Sequence, residues 1–269
     1  MTFYPRFTLL PFLMAWFVLA APVTAAEDTD PAPSAPAPSE QSSYGGELKL
    51  SRFPAVLGHN LTSNLFTGGN LVPFLIGSAG AMAIAPADQE ISRSLRDHAR
   101  GYGDAGEILG NVIPLSIAGG AFLTSRFTKN DHFRSFGYTL AQAYTTNCVL
   151  TQGIKLATHR MRPDGSASTS FPSGHASSSF AIATVVTNYY GKKWGVPLYA
   201  FAGLIAVSRI EKGSHWPRDV VAGAVLGYIS GRTAILGTKR ELSGQKTSRL
   251  MIVPAAGRDW RGVTVNLRY

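Results

Sequence analysis

Residues 171–190 read FPSGHASSSFAIATVVTNYY. Ser173 stands immediately before a long run of helix-compatible residues, the position at which a hydroxyl side chain caps the first turn. Gly174 and His175 then fall in that turn, and residues 176–190 continue as a helix. A helix start presents backbone N–H groups without intrahelical partners and the positive end of the helix dipole. Both features suit a phosphate, and Gly174 lets an anion come close to the backbone. Taken singly, the same pattern also describes an ordinary capped helix with an exposed histidine.

Two further clusters flank this stretch. Upstream, Lys155 and Arg162 are separated by six residues, and Arg162 is followed by Pro163. On a continuing helix the two cations share a face, and Pro163 predicts that the helix ends at about Arg162. Downstream, Ser208-Arg209 is followed after five residues by His215 and after three more by Asp219. Pro217 suits the first position of a helix running to about Ile229. His215 then lies just before that helix. A carboxylate four residues on can accept a hydrogen bond from one imidazole nitrogen, leaving the other free as a nucleophile. Each cluster alone also reads as a solvated helix end. Together they supply three cations, two helix N-termini, two histidines and an orienting carboxylate. Phosphoryl transfer needs that set, because its catalysis is mainly positioning and charge neutralisation. Arginine can grip two phosphoryl oxygens at once, whereas lysine acts as a point charge.

The string K-x6-RP, PSGH, SR-x5-H-x3-D, spanning Lys155 to Asp219 without departure at any position, resembles the signature of the type 2 phosphatidic acid phosphatase family. That superfamily also contains class A acid phosphatases and vanadium haloperoxidases. The resemblance implies an α-helical fold and a metal-independent phosphatase acting on a phosphorylated lipid or a small phosphate ester. It implies His215 as the nucleophile that becomes phosphorylated, Asp219 as its orienting partner, and His175 as general acid and then general base. Lys155, Arg162, Ser173, Gly174 and Arg209 would bind the phosphoryl group. No cofactor is implied. A vanadium-dependent haloperoxidase and a catalytically silent membrane-associated binding protein are the alternatives; the unbroken signature favours hydrolysis.

The rest of the chain sets the context. It has 269 residues, a formal charge of +9, 15% charged residues and one cysteine, so an intrachain disulfide is excluded. The basic excess is compatible with anionic substrates or an anionic membrane surface. Nucleic acid is a poor fit, because the cations are scattered and not interleaved with aromatics. Arg6 precedes an apolar run at residues 8–21, and Val23-Thr24-Ala25 offers small residues for cleavage. Residues 1–25 therefore read as a secretory signal peptide, implying export to a periplasm. Residues 26–46 are rich in Pro, Ala and Ser and read as a linker.

Residues 47–240 form the expected helical domain, with apolar runs near 71–85, 108–123, 138–156, 178–190, 197–210 and 220–235. Most of these runs are shorter than the ~20 residues a membrane helix needs, which favours a water-soluble or surface-associated all-α bundle. Residues 241–269 form a tail in which two short strands, 249–254 and 261–269, make a hairpin. His159 reads as a loop residue near the pocket, and His59, His98 and His132 as surface residues.

Overall fold

The computed structural model describes residues 48–97 and 102–244, together with the backbone of 249–256 and 261–268. The expected signal peptide, the linker and His98 lie outside the described residues. Between residues 48 and 244 every regular element described is helical. In chain order these are α1 (Phe53–Leu61), α2 (Gly68–Ile84), α3 (Asp88–Asp97), α4 (Tyr102–Ser125), α5 (Asp131–Thr158), α6 (Gly174–Tyr190), α7 (Lys192–Glu211) and α8 (Pro217–Leu242), with short 3-10 turns before α1 and α3. Strands β1 (Arg249–Ala256) and β2 (Arg261–Arg268) pair antiparallel, Arg249 opposite Arg268 and Ala256 opposite Arg261.

Local chemistry accounts for the helix ends that matter. Ser173 caps α6, its Oγ accepting from the Ala176 N–H at 3.5 Å. Asn130 caps α5 by accepting from Phe133 N–H at 3.0 Å. Pro217 opens α8, and Asp219 in its first turn accepts from the Trp216 N–H at 3.1 Å. Two boundaries differ from expectation. Helix α5 stops at Thr158, with His159 exposed and in the left-handed region at φ 43°. Lys155 and Arg162 therefore do not share a helix face; Arg162 belongs to the loop that follows. Helix α8 continues to Leu242, well past Ile229, because its Gly and Ser residues are packed against neighbouring helices rather than acting as breakers.

Helix α8 runs along α6 and also packs on α5, α2 and α1, while α4 packs on α5 and α7. Gly227 lets α8 approach α6 closely: a β-carbon there would collide with the Ser177 backbone carbonyl. One core joins α6, α7 and α8 through Ala176, Phe180, Ala202, Ile210, Val220 and Ala224. A second joins α4, α5, α6 and α8 through Ala118, Leu140, Val185 and Ala234.

The helices are longer than their apolar runs, which overturns the reading of those runs as too short to span a bilayer. Polar residues such as Asp104 and Glu107 sit inside the first turns of α4 and extend it to 24 residues. Among the described residues, three stretches are long and apolar enough to cross a membrane: Gly68–Asp97, Tyr102–Ser125 and Pro217–Leu242. In the first two, only 17% and 22% of the most apolar window is buried, against 72% in the third. Leu71, Phe74, Leu75 and Ile76 on α2 and Ile108, Val112 and Leu115 on α4 are exposed. Contiguous outward apolar faces of this kind are rare on soluble monomers and support membrane association.

Candidate active site

The C-terminal ends of α5 and α7 meet the N-terminal ends of α4, α6 and α8 at one end of the bundle. His215, in the loop between α7 and α8, is 3% exposed. Its Nδ1 lies 2.6 Å from the Ser170 backbone oxygen. A carbonyl can only accept, so Nδ1 carries the proton and Nε2 keeps its lone pair. Burial, the neighbouring Lys155 charge, and Arg209 and His175 beside it hold the ring well below the ordinary imidazole pKa. His215 is thus neutral at neutral pH, with a free nucleophilic nitrogen.

Lys155, at the end of α5, donates to the Thr169 backbone oxygen. Burial, followed by the Arg162 charge, brings its pKa down to about 8. Arg209 donates to the Ser214 hydroxyl at 2.8 Å and to the Gly103 carbonyl at 3.2 Å, and its backbone carbonyl accepts from the His215 N–H at 3.3 Å. Its guanidinium lies 3.9 Å from Glu107. Arg162 bonds through its N–H to the Ala167 carbonyl at 3.0 Å and reaches the Ser166 hydroxyl at 3.4 Å.

His175 sits in the first turn of α6 against Gly110 of α4, where a β-carbon would strike the imidazole. Burial, then the Arg209 charge, brings the His175 pKa down to about 4, opposed by Glu107. Three buried polar atoms in this cluster have no partner: His175 Nε2, Arg162 Nε and Arg209 Nε. A buried donor or acceptor left unpaired is costly, so their clustering marks a place built for a polar ligand.

The expected direct bond from Asp219 to His215 is absent. The Asp219 carboxylate is fully buried and accepts from Ser170 Oγ at 2.5 Å, from the Trp216 N–H at 3.1 Å and from Arg160. Asp219 is drawn into the first turn of α8 by its own helix start, and residue 170 fills the space between it and the ring. Ser173 lies where expected, fully buried, with its N–H on the Asp219 backbone oxygen at 2.9 Å. At Gly174 the nearest side chain to an added β-carbon is Thr151, at 3.7 Å, so the packing there leaves room. The Ser208 hydroxyl turns back to the Ile205 carbonyl at 2.7 Å and takes no part in the cluster.

Sequence reasoning missed Ser170, Arg160, Asp88, Gly110 and Glu107. Arg160 stands two residues before Arg162 and could have been flagged as a second cation of that cluster. The other four carry no local signal. Among the described residues, no group of three His, Cys, Asp or Glu side chains is placed to hold a metal ion.

Residues 133–241 match the family model described as PAP2 superfamily. Over this segment the chain is similar to the PAP2 superfamily. The matched PAP2 segment contains all three clusters and helices α6 to α8 almost entirely. Lipid A 1-phosphatase of Porphyromonas gingivalis is 41% identical over 75 residues, covering 27% of this chain and 17% of that protein. Decaprenylphosphoryl-5-phosphoribose phosphatase of Mycobacterium tuberculosis is 38% identical over 88 residues, covering 29% of this chain and 48% of that protein. A transmembrane PAP2-type phosphatidylglycerolphosphate phosphatase from Bacillus subtilis aligns with a TM-score of 0.48 at 23% identity, over 67% of this chain and 98% of that one. The chain spans 17% of the first curated relative it matches and 54% of another.

Proposed function

We propose that this chain is a PAP2-type phosphatase that hydrolyses a phosphate monoester through a phosphohistidine on His215. One observation carries the reading. A buried neutral imidazole has its Nε2 lone pair free, within a cluster where His175 Nε2, Arg162 Nε and Arg209 Nε are buried without partners. In the first step the His215 Nε2 lone pair attacks phosphorus and the P–O ester bond breaks. His175 gives its proton to the leaving alkoxide oxygen. In the second step His175 takes a proton from water, the resulting oxygen attacks phosphorus, and the P–N bond breaks to release inorganic phosphate and neutral His215. His175 has a depressed pKa among these uncompensated cations. A bound phosphoryl dianion offsets the Arg209 and Lys155 charges and raises it toward the range a general acid needs. Lys155, Arg162 and Arg209 hold the equatorial oxygens, with the α6 N-terminus at Ser173 and Gly174 as a further source of N–H donors.

The substrate is a phosphorylated lipid. The exposed apolar faces of α2 and α4 place the chain in or on a bilayer, and the curated relatives reported above are named for lipid-linked phosphates. The site faces the extracytoplasmic side. At the opposite end of the bundle lie Lys49, Arg52, Arg126, Lys129, Arg134, Lys192, Lys193, Lys239 and Arg240, against Asp131 and Glu241. At the site end acidic and basic residues are balanced. An excess of Lys and Arg in short connections stays on the cytoplasmic side.

His215→Ala is the test. Purified with a short-chain phosphatidic acid as substrate, the variant is expected to lose at least ~10³-fold in kcat while keeping its thermal unfolding midpoint. Near-normal turnover would remove the nucleophile and with it this reading.

A further inference from the structure

A buried chain of charged and hydroxyl groups runs from the start of α3 to the His215 ring. Asp88 is 4% exposed. It accepts from Arg160 at 2.9 Å, from the Arg218 N–H at 3.1 Å, and lies 2.6 Å from the Arg218 guanidinium. Arg160 reaches on to Asp219 with its other terminal nitrogen and stacks over the Trp216 ring at 5.6 Å. Asp219 takes the Ser170 hydroxyl at 2.5 Å, and the Ser170 carbonyl takes the His215 Nδ1–H at 2.6 Å. The Ser170 N–H is itself tied to the Arg160 carbonyl at 2.9 Å. Ser170 is fully buried and held on three sides, by its N–H, its hydroxyl and its carbonyl.

We propose that Ser170 is the positioning residue for the nucleophile, selecting the Nδ1–H tautomer of His215 through its carbonyl, and that Asp219, Arg160 and Asp88 act on the His215 ring through Ser170 and without touching it. The inference deepens the phosphohistidine reading and rests on it for the kinetic consequence, though not for the tautomer. A carbonyl acceptor gives the ring a fixed orientation without placing a negative charge against it. The charge stays one residue away, neutralised by Arg160. Asp88 joins Arg160 of the α5–α6 loop to Arg218 of α8, so one carboxylate sets the relative positions of the two segments on which Ser170 and His215 lie.

The experiment uses the full chain in detergent micelles or nanodiscs, with ¹⁵N-histidine labelling and steady-state kinetics on the same preparations. His215 resonances are assigned by their loss in His215→Ala. The wild type is expected to show His215 as the Nδ1–H tautomer, against the Nε2–H form that free imidazole side chains favour. Ser170→Ala keeps the carbonyl but frees it from Asp219. It is expected to show mixed tautomers, a ~10- to 100-fold fall in kcat, and a KM changed by less than about twofold.

The charged and titratable groups facing the ring are Lys155 from α5, His175 from α6, Arg209 from α7 and, beyond Ser170, Asp219 from α8. Of the effects that keep the ring neutral, burial is the largest. Looser packing therefore lets its pKa rise, and the acid limb of kcat/KM in Ser170→Ala moves to higher pH. Ser170→Thr, which keeps the hydroxyl, restores kcat and the limb. Asp88→Asn lowers kcat about tenfold in the same direction.

A wild-type His215 in the Nε2–H form overturns the proposal whatever the activity. So does Ser170→Ala with unchanged kcat, acid limb and tautomer. A Ser170→Ala protein that only unfolds at lower temperature, with kcat and acid limb intact in the folded fraction, shows a purely structural serine and overturns it equally. Loss of activity in the wild type would count against the phosphatase reading alone, since the tautomer is read independently.

Discussion

The two ends of the helical bundle both bury polar side chains, and they do so differently. At the end away from the site, the network is built on amides and hydroxyls, joined by Arg240 donating to Asn64 and Arg232 donating to Asn70 at 3.3 Å. Asn60 donates to Gln142 at 3.2 Å, Asn64 to Asn60 at 2.9 Å, Asn70 to Thr233 at 3.0 Å, and Thr139 to Thr238 at 2.9 Å. Each of these groups has a partner. At the site end the network is made of ions, and it leaves nitrogens of His175, Arg162 and Arg209 unpaired. A satisfied network holds helices in register. A network with convergent unpaired donors holds itself ready for something else. The contrast separates structural polarity from functional polarity by whether the buried groups are paired.

The largest expected break in that contrast is Arg209→Gln. Removing the guanidinium at the site end should lower kcat/KM for a phosphate ester by about 100-fold, because a charge-stabilising donor is lost where charge develops. The unfolding midpoint should fall only modestly, by the loss of the donors to the Ser214 hydroxyl and the Gly103 carbonyl. Unchanged kcat/KM would place Arg209 outside the phosphoryl site.

The ends should also differ in access. In a Cys148→Ser background, a cysteine at Ser166 should react with a membrane-impermeant maleimide in intact cells, and one at Lys129 only after permeabilisation. The reverse pattern would turn the site toward the cytoplasm. The smallest effect should come from the amide end. Asn60→Leu leaves Gln142 and Asn64 each short of a partner and should destabilise the fold by about 2 kcal/mol, read by thermal or denaturant unfolding. Its kcat per folded molecule should match the wild type, and a kcat loss comparable to that of Arg209→Gln would erase the distinction between the two ends.

The legibility of the chain follows the range of the interactions involved. Ser173 as the α6 cap and Pro217 as the α8 opening were readable because capping acts over three or four residues. So was the gathering of Lys155, Arg209, His175 and His215, because those residue types at those intervals form a recognisable signature. The length of α4 was not readable from its apolar run, since Asp104 and Glu107 are helical without being apolar. Nor was the end of α5: Pro163 pointed to Arg162, but the chain turns at His159.

By itself, the sequence determined an all-α domain with helix starts at Gly174 and Pro217, and the identity of the charged groups that collect at one end. Only the tertiary structure decided who touches whom. It put Ser170 between Asp219 and His215, brought Asp88 across 72 residues to Arg160, and opened space for His175 opposite Gly110. The physical reason is that caps and helical periodicity arise from neighbours along the chain. A side chain's hydrogen-bond partner depends on which backbones pack closely enough to meet it, and that follows from small residues such as Gly110 and Gly227 on helices distant in sequence.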